Sequence, residues 1–278
     1  MQIPRFFIDS SSINENVSAA LIDDPKLIHQ IARVLRLGKG APVILLNGAG
    51  DLFHCRIENL DRDCVALFIE SKERNDEAGA SSLTVALPLI KPARFEWALE
   101  KLTELGATTI IPLVTQRTVH KSSAAELETE DGKKKDHKSI HVKGVKPAKQ
   151  SRWHSIVREA AEQSERYAIP EVVAQKKFSD YLNLIAEQKN TENGLHYILA
   201  ERSKCSHLSI HLAGEKEKGE LPKNISICLG PEGGFTDAEL DQAAEAGLTF
   251  ASLGKLILRS ETAAVAATAV VSAMRMHS

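Results

Sequence analysis

The strongest constraint on the fold is a strand–loop–helix pattern that occurs twice near the C-terminus. Apolar residues 225–229 run into a glycine-rich turn at 230–234, and a helix pattern follows. A second apolar strand ends at residues 253–254, and another loop leads into a last apolar helix. Loops at the carboxyl ends of neighbouring parallel strands form ligand sites in α/β sheets. The two junctions therefore predict a ligand pocket.

The chain upstream of these junctions alternates in the same way. Residues 83–88 and 108–114 are predicted strands, and apolar residues at helical spacing over 94–105 predict a helix between them. Further on, Thr236 and Glu239 match a capping box at the start of the helix that follows the glycine-rich turn. This alternation predicts an α/β fold with a mostly parallel sheet and helices on both faces.

The N-terminal part has a different pattern. Residues 1–72 contain short apolar runs separated by turn signals, which predicts a small β-barrel domain. Asp24 and Pro25 suit the N-cap and N1 positions of a short helix within it. The polar residues 73–82 predict a linker, so residues 83–278 form the second domain.

Composition narrows the class of protein. The 278 residues are 43% hydrophobic with a formal net charge of -2, so any nucleic-acid-binding surface must be local. No apolar run approaches the roughly 20 residues that span a bilayer, and the N-terminus lacks the apolar core of a secretory signal. We therefore expect a cytoplasmic protein with no membrane partner. The four cysteines form no CxxC pair, and we interpret them as reduced buried thiols.

One polar stretch interrupts the second domain. Residues 123–150 are lysine-rich, and from residue 133 onward Asp136 is their only acidic residue. The lysines of this stretch are Lys133, Lys134, Lys135, Lys138, Lys143, Lys146 and Lys149. The stretch is either a solvated insertion or a flexible arm that meets phosphate groups.

The residues best suited to chemistry lie at the two C-terminal junctions. The turn GPEGG at 230–234 matches neither GxxxxGK[ST] nor GxGxxG with an acidic residue about 20 positions later, which excludes the common phosphate-binding motifs. The helix after it still offers free backbone donors to a ligand. At the second junction, Arg259 and Glu261 are either a functional pair or a structural ion pair at the helix start. No acidic, histidine or cysteine cluster suggests metal binding, so we expect no metal.

The two junctions also form a specific pair of motifs, GPEGGF at 230–235 and LGKLILRSETA at 253–263. This pair resembles the ribosomal RNA small subunit methyltransferase E family of the SPOUT superfamily. Upstream blocks extend the resemblance, namely RFF at 5–7, HQIARVLRL at 29–37, NGAGDLFHCRI at 47–57, KPARFEWALEKLTELGATTIIPLVTQRTV at 91–119 and RWHSIVREAAEQSERYAIPEV at 152–172. There are two departures: Leu256 stands where the family usually has arginine, and the stretch at 122–150 is longer than expected.

The resemblance implies a SPOUT-type C-terminal domain with a deep trefoil knot and an N-terminal PUA-like domain. It implies that a homodimer uses S-adenosylmethionine to methylate N3 of a uridine in 16S rRNA, within the 30S subunit. The residues expected to bind the cofactor are Leu199, Gly230, Pro231, Glu232, Gly233, Gly234, Leu253, Gly254, Leu258, Thr262 and Ala263. The residues expected to bind RNA are Arg5, Arg33, Arg36, Arg94, Arg117 and Arg166.

The same resemblance suggests catalytic roles for two residues. Loss of the imide proton leaves negative charge on the uridine ring, and Arg259 is expected to stabilise that charge. Glu261 would orient Arg259 or fix the helix start. The base must be unpaired or flipped out before its N3 is accessible. Two alternatives stay open: a related SPOUT enzyme with another RNA target, and an RNA-binding relative that does not catalyse.

Overall fold

The structure is a computed structural model that describes residues 3–75, 81–119, 147–191, 193–200 and 205–276. The chain divides into two compact units, one of residues 1–81 with 158–169 and one of residues 82–157 with 170–278. The lysine-rich stretch lies outside the described residues as far as residue 146, and so do residues 76–80 of the expected linker. The unit division assigns residues 158–169 to the N-terminal part, whereas the sequence placed them in the second domain.

Within the described residues, the first unit is built on a six-stranded sheet. Its strands are β1 (Arg5–Phe7), β2 (Ile13–Asn14), β3 (Ala19–Ile22), β4 (Pro42–Leu46), β5 (Asp51–Leu60) and β6 (Val65–Arg74). They follow the order β1-β4-β5-β6-β3-β2, and only β1 and β4 pair in parallel. Register shifts in the β5–β6 ribbon mark bulges, which bend and twist a sheet.

Both faces of this sheet carry buried apolar side chains because side chains alternate along each strand. Phe6, Leu45 and Phe53 pack in a cluster on one face. Phe7 and Leu46, on the other face, belong to a second cluster that also contains Ala161, Tyr167 and Ile169. The segment 158–169 therefore covers apolar surface that residues 1–72 alone would leave exposed.

A short helix, α1 (Pro25–His29), packs into the first of these clusters. The carboxylate of Asp24 accepts a hydrogen bond from the backbone N–H of Lys26 at 2.9 Å, and Pro25 lies in the first turn. The predicted N-cap is confirmed. A π-helical turn at residues 30–34 continues α1, and Arg36 after it adopts a φ of 52°.

Polar contacts attach the segment 158–169 to strand β1. The backbone N–H of Phe7 donates to the Glu162 carboxylate at 2.9 Å, and the Arg158 guanidinium donates to the Phe7 carbonyl. The Arg5 guanidinium forms an ion pair with Glu165 at 2.6 Å. Burial raises the pKa of the Glu162 carboxyl. Strand β1 thus has polar and apolar partners in this distant segment.

The second unit contains a seven-stranded sheet in the described residues, and every strand pair in it is parallel. Its strands are β7 (Ser82–Pro88), β8 (Thr109–Val114), β9 (Glu171–Val172), β10 (Lys176–Lys177), β11 (Gly194–Leu199), β12 (Asn224–Leu229) and β13 (Thr249–Ala251). They follow the order β10-β8-β7-β12-β11-β13, with β9 paired to β8. This confirms the predicted α/β fold with a parallel sheet.

Helices accompany the strands of this sheet. They are α2 (Pro92–Glu104), α3 (Pro147–Gln163), α4 (Phe178–Thr191), α5 (Leu208–Glu217), α6 (Asp237–Glu245) and α7 (Ser260–Met276). Helices α4 and α6 contribute to one apolar cluster with the central strands, while α2 and α5 pack against α7. In the part of the chain that the structure describes, no helix is both long and apolar enough to cross a bilayer.

Candidate active site

A cavity of about 930 Å³ lies in the second unit, at the carboxyl ends of three adjacent strands. Strand β11 ends at Leu199, β12 ends at Leu229, and β13 ends at Ala251, and all three residues line the cavity. The two junctions that the sequence singled out form most of the remaining wall. Parallel sheets bind ligands at this edge.

The glycine loop, defined here as residues 230–235, follows β12. It turns tightly, with the Gly234 N–H donating to the Pro231 carbonyl at 2.8 Å. A Cβ atom on Gly230 would lie 3.1 Å from the ring of Phe235, which is 7% exposed and packs on Phe178. Only glycine lets the backbone pass this close to a buried ring.

Helix α6 begins directly after the glycine loop with the predicted capping box. The Thr236 hydroxyl accepts from the Glu239 N–H at 3.3 Å, and the Glu239 carboxylate accepts from the Thr236 N–H at 2.9 Å. The other oxygen of Glu239 accepts from the Gln116 N–H at 2.8 Å. Because of this second bond, the cap also fixes the chain that follows strand β8.

Arg117, which follows β8, binds the glycine loop through main-chain atoms. Its guanidinium donates to the carbonyl of Gly233 at 2.9 Å and to the carbonyl of Phe235 at 3.1 Å. Its aliphatic stem lies against Gly233, where an added Cβ would be 3.2 Å from the Arg117 Cβ. Arg117 also lines the cavity. The hydrogen bonds observed for its guanidinium are both with carbonyl groups of the glycine loop.

The second loop, residues 253–258, forms the opposite wall and differs in character. Leu256 and Ile257 line the cavity although they are 81% and 63% exposed. Gly254 has a φ of 113°, a conformation that L side chains rarely adopt. Within the described residues, no hydrogen bond holds residues 253–258.

The first turn of α7 joins the glycine loop. The Ser260 hydroxyl donates to the Gly230 carbonyl at 2.7 Å. Glu261 is 7% exposed, and one of its carboxylate oxygens lies 3.6 Å from the Arg94 guanidinium, while the other has no hydrogen-bond partner among the described residues. The Arg94 guanidinium also lies 3.7 Å from the carboxylate of Glu232 in the glycine loop.

The structure collects nearly all of the expected cofactor residues around this cavity. Those that line it are Leu199, Gly230, Pro231, Glu232, Gly233, Gly234, Leu253, Gly254, Leu258 and Ala263. Thr262, Arg259 and Glu261 lie in the adjoining chain but do not line the cavity. Arg259 is exposed, and among the described residues it forms no ion pair with Glu261 or any other carboxylate. The roles of these residues stay predictions.

The arginines expected to bind RNA fall into different environments. Arg33 and Arg36 are exposed on the first unit. Arg5 is paired with Glu165, and burial lowers the pKa of Arg166 to about 10. Arg94 and Arg117 belong to the surroundings of the cavity, as described above.

Several contacts at the site have no sequence signal. Ser260 and Arg117 bind carbonyl groups of residues that are 30 and 116 positions away. Cys205 also lines the cavity, and of the other cysteines Cys55 and Cys228 are buried. Burial raises the pKa of the Cys228 thiol well above its usual range. The expectation of four buried thiols is therefore wrong for Cys64 and Cys205, which are only partly buried.

Comparison with known proteins identifies the class of this molecule. The family profile described as "RNA methyltransferase domain" matches residues 77–146 and 134–272, and the one described as "RNA methyltransferase PUA domain" matches residues 22–70. The protein thus combines an RNA methyltransferase domain with a PUA domain. Among the described residues, no group of three or more acidic, histidine or cysteine side chains could hold a metal ion.

Similar whole chains narrow the class further. A ribosomal RNA small subunit methyltransferase E from Synechocystis is 34% identical over 247 residues, which are 89% of this chain and 71% of that one. The protein of the same name from Bacillus subtilis is 30% identical over 96% of this chain and 95% of its own. This chain belongs to the ribosomal RNA small subunit methyltransferase E family.

Solved structures agree with this assignment. The family member from Neisseria gonorrhoeae, bound to S-adenosylmethionine, has a TM-score of 0.73 and 26% identity, and the match covers 98% of each chain. A methyltransferase from Legionella pneumophila, in complex with the same cofactor, has a TM-score of 0.76 at 24% identity over 98% of each chain. The similarity to the Legionella pneumophila protein shows that the two chains share a fold.

Proposed function

We propose that this protein transfers the methyl group of S-adenosylmethionine to N3 of a uridine in 16S rRNA. The observation that carries the proposal is the cavity between the glycine loop and residues 253–258, in a chain of this family. The Neisseria gonorrhoeae relative bound to S-adenosylmethionine supports the choice of cofactor.

The residues around the cavity fit this cofactor chemically. A cavity of about 930 Å³ is large enough for a nucleoside with an amino-acid side arm. Backbone groups of Leu199, the glycine loop and residues 253–258 would hold the adenosine part, with Thr262 and Ala263 beside them. Glu232 of the glycine loop lines the cavity, and its carboxylate suits a ligand that carries positive charge.

When bound, S-adenosylmethionine supplies an electrophilic methyl group on a sulfonium cation. The exposed Arg259 has no carboxylate partner among the described residues, so its charge is available to stabilise an anionic pyrimidine. Glu261 pairs with Arg94 instead of Arg259. Of the two roles expected for Glu261, we therefore favour fixing the start of α7, where an acidic residue also suits the helix dipole.

We further propose that the first unit binds the RNA and that the protein acts as a homodimer with the trefoil knot of the SPOUT superfamily. Arg33 and Arg36 are exposed in the first unit, and their replacement by alanine should lower the salt dependence of RNA binding. One side of α7 is partly exposed and carries Val265, Ala266 and Ala269, which suits an interface. Light scattering at micromolar concentration tests the dimer, and a monomer there contradicts it.

Primer extension on rRNA tests the proposed reaction. N3-methylation blocks the Watson–Crick edge of uridine, so reverse transcription should stop at one uridine of 16S rRNA when this protein is supplied to a strain that lacks the family member. The stop should be much weaker when the Arg259→Ala variant is supplied at the same level. A stop in another RNA would change the proposed substrate to that RNA. The absence of a stop in any RNA would indicate a protein that binds RNA without methylating it.

A further inference from the structure

Arg94 of helix α2 lies between two carboxylates that belong to two different segments at the candidate active site. Its Nη1 atom is 3.7 Å from an oxygen of Glu232 in the glycine loop. Its Nε atom is 3.6 Å from an oxygen of Glu261 in the first turn of α7. One guanidinium thus contacts both segments, which are separated by more than a strand and a helix along the chain.

Within the described part of the chain, Arg94 is the only cation within 4.0 Å of either carboxylate. This matters most for Glu261, whose side chain is 9% exposed and whose second oxygen accepts no hydrogen bond from any residue that the structure describes. A buried carboxylate without a nearby cation is strongly unfavourable. Among the described residues, Glu261 has its ion-pair contact with Arg94 alone.

The same arrangement argues against a phosphate contact for Arg94, the role that the sequence suggested. The three groups together carry one net negative charge, because two carboxylates face one guanidinium. A phosphate group that approached Arg94 would meet both carboxylates. In contrast, Arg33 and Arg36 are exposed, and within the described residues no carboxylate lies within ion-pair distance of them.

We propose that Arg94 is a positioning residue that sets the spacing between the glycine loop and the start of α7. The inference rests on the proposed function, because these segments would hold the cofactor. Without the guanidinium, Glu232 and Glu261 would repel each other and the glycine loop would move relative to Ser260, which binds Gly230. Arg94 therefore acts on cofactor binding through Glu232 and Glu261.

The test is the affinity for S-adenosylmethionine, measured by calorimetry with the full-length protein. Arg94→Gln should weaken binding about 5- to 150-fold, the range that coupling between two sites typically spans, and should raise KM for the cofactor more than it lowers kcat. Arg94→Lys should recover part of the affinity because it keeps the charge. The matched control is Glu96→Gln, which breaks a closer ion pair on the same helix, at 2.6 Å to Arg152, and should leave the affinity unchanged.

A double-variant cycle separates positioning from a general structural effect. Once Glu261→Gln has removed the buried charge, a further Arg94→Gln change should cost less affinity than it does in the wild-type protein. Additive losses would overturn the proposal. Unchanged cofactor affinity, together with a weaker salt dependence of RNA binding, would also overturn it and return Arg94 to a phosphate-binding role.

Failure of the proposed function is distinguishable from failure of this inference. If the wild-type protein binds no S-adenosylmethionine, the proposed function fails. The contact between Arg94 and Glu261 is then tested by urea unfolding without ligand, using the wild-type protein, the two single variants and the double variant. The midpoint shifts of Arg94→Gln and Glu261→Gln should not add if the residues are coupled, and additive shifts would contradict the coupling.

Discussion

The two walls of the cavity are built in opposite ways. The glycine loop is held by Ser260, by Arg117 and by the packing of Phe235 against Phe178. Residues 253–258 have no hydrogen bonds within the described residues, and Leu256 and Ile257 are largely exposed. One wall is braced by contacts within the protein, whereas the other is exposed and lacks such hydrogen bonds among the described residues.

One site can therefore combine a fixed loop geometry on one side with adjustable side-chain contacts on the other. A braced loop holds backbone donors in a set geometry, which reduces the ordering that ligand binding requires. The exposed apolar side chains of the second loop would gain burial against a ligand, since apolar surface removed from water stabilises the bound state. Substitutions in the glycine loop, the braced wall, should therefore affect the free protein as well as the complex. Substitutions in residues 253–258, the open wall, should affect the complex alone.

The largest effect is expected for Arg259→Ala, directly after the open wall of residues 253–258. Because its guanidinium is exposed and unpaired among the described residues, its loss should leave the free energy of unfolding nearly unchanged. Loss of one charge-stabilising group should lower kcat by roughly 10²- to 10³-fold. Single-turnover methylation of 30S subunits measures the change.

The control for this prediction is Lys218→Ala, directly after α5, which removes a cation that is 72% exposed and does not line the cavity. Its turnover should equal that of the wild-type protein. Wild-type turnover in a correctly folded Arg259→Ala variant would remove the proposed catalytic role.

A smaller but still large effect is expected in the braced wall, with Gly230→Ala. The new Cβ would meet the buried Phe235 ring at 3.1 Å, and that ring packs on Phe178. Overpacking of this kind costs about 1–3 kcal/mol. The free protein should therefore unfold at a lower temperature, and its cofactor affinity should fall about 5- to 150-fold.

Gly214→Ala provides the comparison for this glycine. Gly214 lies in helix α5 with no atom within 4 Å of an added Cβ. Alanine there should stabilise the helix by up to about 1 kcal/mol, and cofactor affinity should not change. If Gly230→Ala left both unfolding and affinity unaltered, the glycine loop would not be a braced wall.

The smallest effect is expected for Leu256→Ser in the open wall. Leu256 is 81% exposed, so the free protein should unfold at the wild-type temperature. Cofactor affinity should fall about 3- to 10-fold, because burial against the ligand is worth about 25 cal/mol per Å² of apolar surface. Calorimetry and thermal unfolding of the same preparation measure both quantities.

Ile210→Ser serves as its control, since Ile210 is 63% exposed on α5 and does not line the cavity. It should change neither the unfolding temperature nor the affinity. A loss of stability in Leu256→Ser without ligand would show that residues 253–258 are already packed, and the contrast between the two walls would disappear.

Features that depend on neighbouring residues were predictable from the sequence. The N-cap Asp24, the capping box of Thr236 and Glu239, and the alternation that predicts a parallel sheet all involve residues within a few positions of one another. Local hydrogen bonds and side-chain periodicity determine such features. The paired junctions at 230–235 and 253–263 also located the cavity correctly.

Features that join distant segments were not predictable in the same way. The family resemblance assigned Arg94 and Arg117 to RNA, and the spacing of residues along the chain does not predict which distant groups an arginine contacts. The structure places Arg94 between Glu232 and Glu261, and Arg117 on the carbonyls of Gly233 and Phe235. It also gives residues 158–169 to the first unit, where Ala161 packs with Phe7.

The sequence by itself thus determined the class of fold, the ends of several helices and the two loops that line the cavity, because these features depend on residues that are close together in the chain. Only the tertiary structure decided which charges are neutralised and which remain available. That decision depends on distances between residues far apart in the chain, such as the 3.6 Å between Arg94 and Glu261. Electrostatic interactions depend on those distances and on burial, and neither is encoded in the spacing of residues along the chain.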